Sequence, residues 1–297
     1  MSTTSSPSRL RPQAPSGPFR VMAGRAAFAV VVYVAMLAGP LAAADRAQSP
    51  SGSPLVALSE IDPTISQDIR YASTANFTGK RVPGYEAPAC WLRPAVAAAL
   101  AKVQADLVAA SPPLSLRVFD CYRPRRSVRA FVDWVGQRDD GKTRGYYPSV
   151  RRDALIARGY IGAASAHSRG IAVDLTIVRL APAGDGGALP LDGDKRGHAT
   201  TPCTEAGPAS NLAAGGIDMG TTFDCFDVKS HTAAGGLTPD QRQARATLKS
   251  AMERRGFRNY AREWWHFSYP AADDGRSFDV PINAGPSTMP DLTKKRR

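Results

Sequence analysis

The chain has 297 residues, 43% of them hydrophobic, and a formal charge of +12. That supports one substantial core, or at most two smaller domains, and excludes a fibre or a wholly disordered protein. The basic residues are scattered without a base-stacking aromatic pattern, so nucleic acid is excluded as a partner. In chain order, residues 1–44 carry Arg9, Arg11, Arg20 and Arg25, no acidic residue, and an apolar run from Ala26 to Leu41 ending in Ala42-Ala43-Ala44. This is the layout of a signal peptide. A membrane helix needs about 20 apolar residues, and Gly39-Pro40 interrupts the end of this shorter run, so cleavage is expected rather than anchoring. Translation from Met22 would give a signal of more ordinary proportions. The expected mature protein is exported, periplasmic or envelope-associated, with no stable membrane span and a net charge of +8 after loss of four arginines.

A Ser/Pro/Gln-containing linker, 45–55, precedes a domain expected over 56–272. Between Ile61 and Phe77 short alternating segments run into Asn76-Phe77-Thr78-Gly79, which reads as a strand entering a turn. Pro94 opens a helix with Val96, Leu100, Val103 and Leu107 on its core face, stopped by Pro112-Pro113. Leu116, Val118 and Asp120 alternate with Arg117, Phe119 and Cys121, a strand that delivers Tyr122-Arg123-Pro124 to its far end. Helices are expected over Ser127–Val135 and Ser149–Arg158. The segment around His167 bends at Gly170 and enters a strand, Ile171 to Leu175, which turns Ala172 and Asp174 to one face. Residues 181–216 are rich in Gly, Ala, Pro and Asp and read as a surface excursion. Thr238-Pro239-Asp240-Gln241 has the form of a capping box, predicting a helix that stops at Gly256. Phe257–Tyr269 is expected as a final strand, and 273–297, ending in Lys294-Lys295-Arg296-Arg297, as a disordered basic tail. These elements predict an α+β fold: a small, mainly antiparallel sheet flanked by helices, with a zinc site in a cleft on the sheet.

Cys90, Cys121, Cys203 and Cys225 form no Cys-x-x-Cys pair, which argues against a thiolate metal cluster. After export an even number favours disulfides. Of three possible pairings, Cys90 with Cys121 and Cys203 with Cys225 is preferred, the second closing a loop that otherwise lacks anchoring.

The chemistry concentrates in Ser165-Ala166-His167-Ser168-Arg169-Gly170-Ile171-Ala172-Val173-Asp174 and Glu263-Trp264-Trp265-His266. Two imidazoles and one carboxylate leave one position of a tetrahedral zinc open, and a spare carboxylate can deprotonate the attacking water. On a regular strand Glu263 and His266 would face opposite sides, so their cooperation requires a bulge, a turn or a strand starting between them. His198 reads as a surface residue, and His231 as a neighbour of the site rather than a ligand. Arg123, at a strand end, is the candidate oxyanion stabiliser, against the alternative of a surface arginine among Arg125, Arg126 and Arg129.

These two segments, together with Tyr71-Ala72, Asn76-Phe77-Thr78-Gly79, Asp120-Cys121-Tyr122-Arg123-Pro124, Asp218-Met219-Gly220 and Phe223-Asp224, resemble the VanX-type D-alanyl-D-alanine dipeptidases, relatives of the VanY-type D,D-carboxypeptidases. The resemblance spans roughly 61–269. It implies one zinc ion held by His167, Asp174 and His266, Glu263 as catalytic base, and Arg123 stabilising the tetrahedral intermediate. It also implies Ser165, Asp218 and Tyr71 as substrate-binding residues, Asp218 meeting the substrate ammonium. The implied reaction is hydrolysis of D-alanyl-D-alanine by Glu-activated, metal-bound water, with peptidoglycan fragments as a further substrate class. A D,D-carboxypeptidase would use the same ligands in a more open cleft. A non-catalytic wall-binding module could keep zinc for folding, but Glu263 argues against it, because a structural site needs no spare base.

Overall fold

The computed structural model describes residues 54–180, 201–205 and 215–283. The expected signal peptide, nearly all of the linker, most of the excursion with His198, and the basic end of the tail lie outside them. No helix among the described residues is long and apolar enough to cross a membrane.

The architecture is mixed α and β. A five-stranded sheet has the order β2-β4-β5-β7-β6, built from β2 (Ser66–Gln67), β4 (Leu114–Asp120), β5 (Ala172–Arg179), β6 (Arg258–Asn259) and β7 (His266–Ser268). All its pairings are antiparallel except β2 with β4. A small antiparallel pair joins β1 (Val56–Ala57) to β3 (Trp91–Leu92). The helices are α1 (Leu58–Ile61), α2 (Pro94–Val108), α3 (Arg125–Gly136) and α4 (Pro239–Glu253).

Helix α2 starts at its proline and buries Val96, Leu100, Val103 and Leu107, as their spacing predicts. Its one buried polar side chain, Gln104, is satisfied by β4: its carbonyl accepts from the Leu116 N–H at 2.8 Å and its amide donates to Ser115 at 2.9 Å. Helix α4 carries the full capping box, Thr238 accepting from the Gln241 N–H and the Gln241 side chain accepting from the Thr238 N–H. It gives way just before Gly256, whose φ of +89° is the left-handed conformation that ends helices.

Four expectations change. Asn76–Gly79 is a turn rather than a strand, because the Asn76 side chain binds its own neighbourhood: it accepts from Thr78 N–H and donates to the Ser73 and Lys80 carbonyls. The expected helix over Ser149–Arg158 shrinks to one turn at Arg152–Ala154. The expected final strand is a hairpin, β6 and β7 with a loop between. Residues 273–283, expected in the tail, instead form a strap on the core. Val280 exchanges backbone hydrogen bonds with the Tyr122 hydroxyl, and Ile282 pairs with Gly84 and Tyr85. Of the apolar residues in that segment, Val280 and Ile282 are 4% and 0% exposed and Phe278 packs partly buried against the core, which is why the chain does not leave the surface at 272.

Candidate active site

Three strands present one row of polar residues. Antiparallel register places Asp120 of β4 opposite Asp174 of β5, and Asp174 opposite His266 of β7. A β-bulge between Val118 and Asp120 shifts the register there and brings Asp120 into line. His167 enters from the turn His167–Arg169 just before β5. That turn ends at Gly170, φ +69°, where a Cβ would collide with Leu55 and the left-handed backbone disfavours any side chain.

Asp174 Oδ1 lies 2.9 Å from His266 Nδ1 and 3.3 Å from His167 Nε2, and the two imidazole nitrogens are 3.1 Å apart. Tetrahedral zinc with bonds of about 2.0–2.1 Å needs ligand atoms roughly 3.3 Å apart, so the triangle fits that ion. His167 Nδ1 sits 2.6 Å from the Cys121 carbonyl. A backbone carbonyl only accepts, which places the proton on Nδ1 and leaves the Nε2 lone pair facing the other two donors.

The Glu263 paradox is resolved by the hairpin. Glu263 lies in the loop between β6 and β7, where its N–H binds the Tyr260 carbonyl and its carbonyl accepts from the His266 N–H. β7 begins only at His266, so both side chains face the cleft, Glu263 Oε2 being 3.9 Å from His266 Nδ1. Asn259 braces the loop with hydrogen bonds to the Glu263 and His266 carbonyls, both at 3.1 Å.

Arg123 is no surface arginine. Its fork donates to Asp120 at 2.8 and 3.0 Å, reaches Asp174 at 3.5 Å, and lies over the rings of Tyr71 and Phe131. Tyr71 is buried, and its hydroxyl is 3.0 Å from both oxygens of Asp224. Ser165 lines the cleft and accepts from the His167 N–H at 3.2 Å. Trp265 lines it as well, edge-on to Phe223, whereas Trp264 points elsewhere and donates to Thr221.

Asp218 requires a correction. One of its oxygens accepts from the Gly220 N–H at 2.7 Å and the other from the Gln241 side chain at 2.8 Å, so it ties its loop to the start of α4 and does not line the cleft. The carboxylate in the cleft is Asp224, which sits at φ +59°, a conformation Asp tolerates better than most residues. The signal for it was present in the Phe223-Asp224 pair, but nothing local distinguishes it from Asp218. Sequence reading also assigned no role to Asp120, which orients Arg123, accepts from Tyr85 at 2.5 Å and lies 3.5 Å from His167 Nδ1. His231 stands apart from the cleft; its carbonyl accepts from Arg245 at 2.6 Å.

The cavity so enclosed is about 260 Å³, small against the roughly 300–1,000 Å³ of pockets for drug-sized ligands. Asp174, Asp224 and Glu263 line it with Arg123 as the single lining Lys or Arg. Burial drives the Glu263 carboxyl up to about 7, assisted by the Asp174 charge and opposed by His266 and Arg123. Burial likewise raises Asp224, reinforced by Asp174. Burial also acts to raise Asp174, but the charges and hydrogen bonds of His167 and His266 outweigh it and hold this carboxyl low. A cleft with more carboxylates than cations accommodates positive charge: a metal ion beside His167, Asp174 and His266, and a cationic group beside Asp224.

The chain matches the Peptidase M15 family, described as D-ala-D-ala dipeptidase, over residues 52–205 and 210–283. It is 36% identical over 231 residues to a D-alanyl-D-alanine dipeptidase of Enterococcus faecium, covering 76% of this chain and 96% of the relative. A dipeptidase of the same name from Streptomyces coelicolor is 35% identical over 220 residues, 73% of this chain and 93% of that protein. One from Escherichia coli is 28% identical over 218 residues, 73% and 86% respectively.

Proposed function

Because the chain belongs to the M15 metallopeptidase family of D-Ala-D-Ala dipeptidases, we propose that it hydrolyses free D-alanyl-D-alanine to two D-alanines, with one zinc ion held by His167, Asp174 and His266. The observation that carries this reading is the triangle of three donor atoms 2.9–3.3 Å apart with a spare buried carboxylate, Glu263, beside it. Zinc in that triangle supplies Lewis acidity and a water of lowered pKa.

The chain's own groups do the rest. Glu263 takes the proton of the attacking water and returns it to the leaving amine, a role suited to a carboxyl with a pKa of about 7. Arg123, fixed by Asp120 and by the faces of Tyr71 and Phe131, holds positive charge where the oxyanion develops. Asp224, held by the Tyr71 hydroxyl, receives the substrate ammonium, the role the resemblance had given to Asp218. Ser165 orients the His167 turn and offers its hydroxyl to the substrate. Recognition of the free ammonium in a cavity of about 260 Å³ selects a dipeptide over a longer stem. Export is a separate proposal resting on residues 1–44, checked by sequencing the amino terminus of protein recovered from the periplasm or culture medium.

The test is D-alanine release from D-Ala-D-Ala and from a pentapeptide stem, with and without chelator, for wild type and Glu263→Ala. Chelator-sensitive release from the dipeptide is expected, falling roughly 100- to 10,000-fold in Glu263→Ala while bound zinc is retained. Release from the stem alone would make the protein a carboxypeptidase. No release from either by zinc-loaded protein would make it a binding module.

A further inference from the structure

Across an aromatic wall from the cleft lies a second cavity, of about 390 Å³, between the loop 78–83, one face of α3 and residues 140–152. The wall is shared: Phe77 and Phe131 face the catalytic cleft, and Phe77 packs on Trp134, which lines the second cavity. Five basic side chains line this cavity, Lys80, Arg81, Arg138, Lys142 and Arg152, against the carboxylates of Asp133 and Asp140. Asp140 already pairs with Lys142 at 3.2 Å. Among the described residues no carboxylate lies within ion-pair distance of Lys80, Arg81 or Arg138.

Arg152 makes the cavity more than a charged surface. It is 5% exposed, and its guanidinium lies 4.8 Å above the Trp134 ring. One amino group donates to the Gln137 carbonyl. The one described carboxylate within ion-pair distance of it, Asp139, is 3.9 Å away and is already engaged by the Gly141 N–H and the Tyr147 hydroxyl. Its Nε has no partner. A buried guanidinium is strongly disfavoured unless a counter-charge and acceptors complete its fork; this one has one backbone acceptor, a carboxylate no nearer than 3.9 Å and an Nε without a partner.

We propose that this cavity binds a small oxyanion, a phosphate or a carboxylate group, with Arg152 as its buried cation and Lys80, Arg81 and Arg138 at the exposed side. Arginine forks accept such groups in a planar, bidentate manner, and Trp134 holds the plane of this one. The site is distinct from the metal triangle and independent of the catalytic reading.

The experiment titrates the zinc-loaded full chain with inorganic phosphate, and separately with acetate, at constant ionic strength, by calorimetry and tryptophan emission. Saturable binding of at least one anion is expected, with an emission change that Trp134→Phe abolishes. Lys80→Ala with Arg138→Ala, both on exposed side chains, weakens binding about tenfold or more and leaves dipeptide turnover unchanged. Arg152→Met abolishes binding; should that variant not fold, the exposed pair still decides. Stronger binding of phosphate assigns a phosphate-bearing ligand, and stronger binding of acetate a carboxylate-bearing one. The proposal is overturned if neither anion binds saturably, or if binding survives Lys80→Ala/Arg138→Ala and disappears in His266→Ala, which would place the anion on the metal centre.

Discussion

His167, Asp174 and His266 reach the cleft along paired strands and the tight turn that feeds them, whereas Tyr71, Arg123 and Asp224 reach it from loops and a strand end. On the first wall, strand register together with the bulge between Val118 and Asp120 aligns Asp120, Asp174 and His266. On the second, position depends on ring packing, on a hydrogen bond between residues 153 apart in sequence, and on the Cys203–Cys225 disulfide next to Asp224. The first wall suits a metal, whose ligands tolerate little displacement. The second suits recognition at Asp224, with Arg123 reaching to 3.5 Å of Asp174.

That contrast breaks most visibly at a ligand. His266→Ala should lose zinc, measured by elemental analysis, and lower kcat/KM about a thousandfold or more, since Lewis-acid stabilisation is worth several kcal/mol. Retained zinc and activity would sink the metal wall. The recognition wall is probed by Asp224→Asn, expected to lower kcat/KM about 30-fold, mainly through KM and with zinc content unchanged. Asp218→Asn should stay within about twofold, because its hydrogen bonds serve the loop and α4. Equal effects of the two substitutions would remove the distinction between the walls. The smallest difference separates the disulfides. Removing either by paired Cys→Ala costs about 2–4 kcal/mol in urea unfolding. Loss of Cys90–Cys121 also loosens the carbonyl that orients His167 and weakens zinc binding about tenfold, whereas loss of Cys203–Cys225 raises KM and leaves zinc affinity alone.

The same contrast explains what could be read before any fold was known. The α4 capping box and the apolar stripe of α2 are local, and both appear as their spacing predicts. The preferred cysteine pairing is the one observed. Residue chemistry singled out His167, Asp174, Glu263 and His266, and the structure brings them together through a hairpin that the sequence required in general terms but did not locate. Choosing between Asp218 and Asp224 was beyond it, because both lie in one polar loop and only long-range contacts decide which turns inward. The strap at 273–283 was missed because a few apolar residues among charges resemble a tail until the groove that receives them exists.

That strap has a consequence for how the protein is made. Its residues bind the Gly84 and Ser168 carbonyls, the Arg125 N–H and the Tyr122 hydroxyl, so segments between residues 84 and 168 are completed by the last described residues. During synthesis from the amino end, the turn bearing Arg123 is translated long before its final partners emerge from the ribosome. Tyr122 and Arg125, which flank Arg123, therefore gain these partners only once residues 278–280 have been made, and a nascent chain released before residue 278 would lack them.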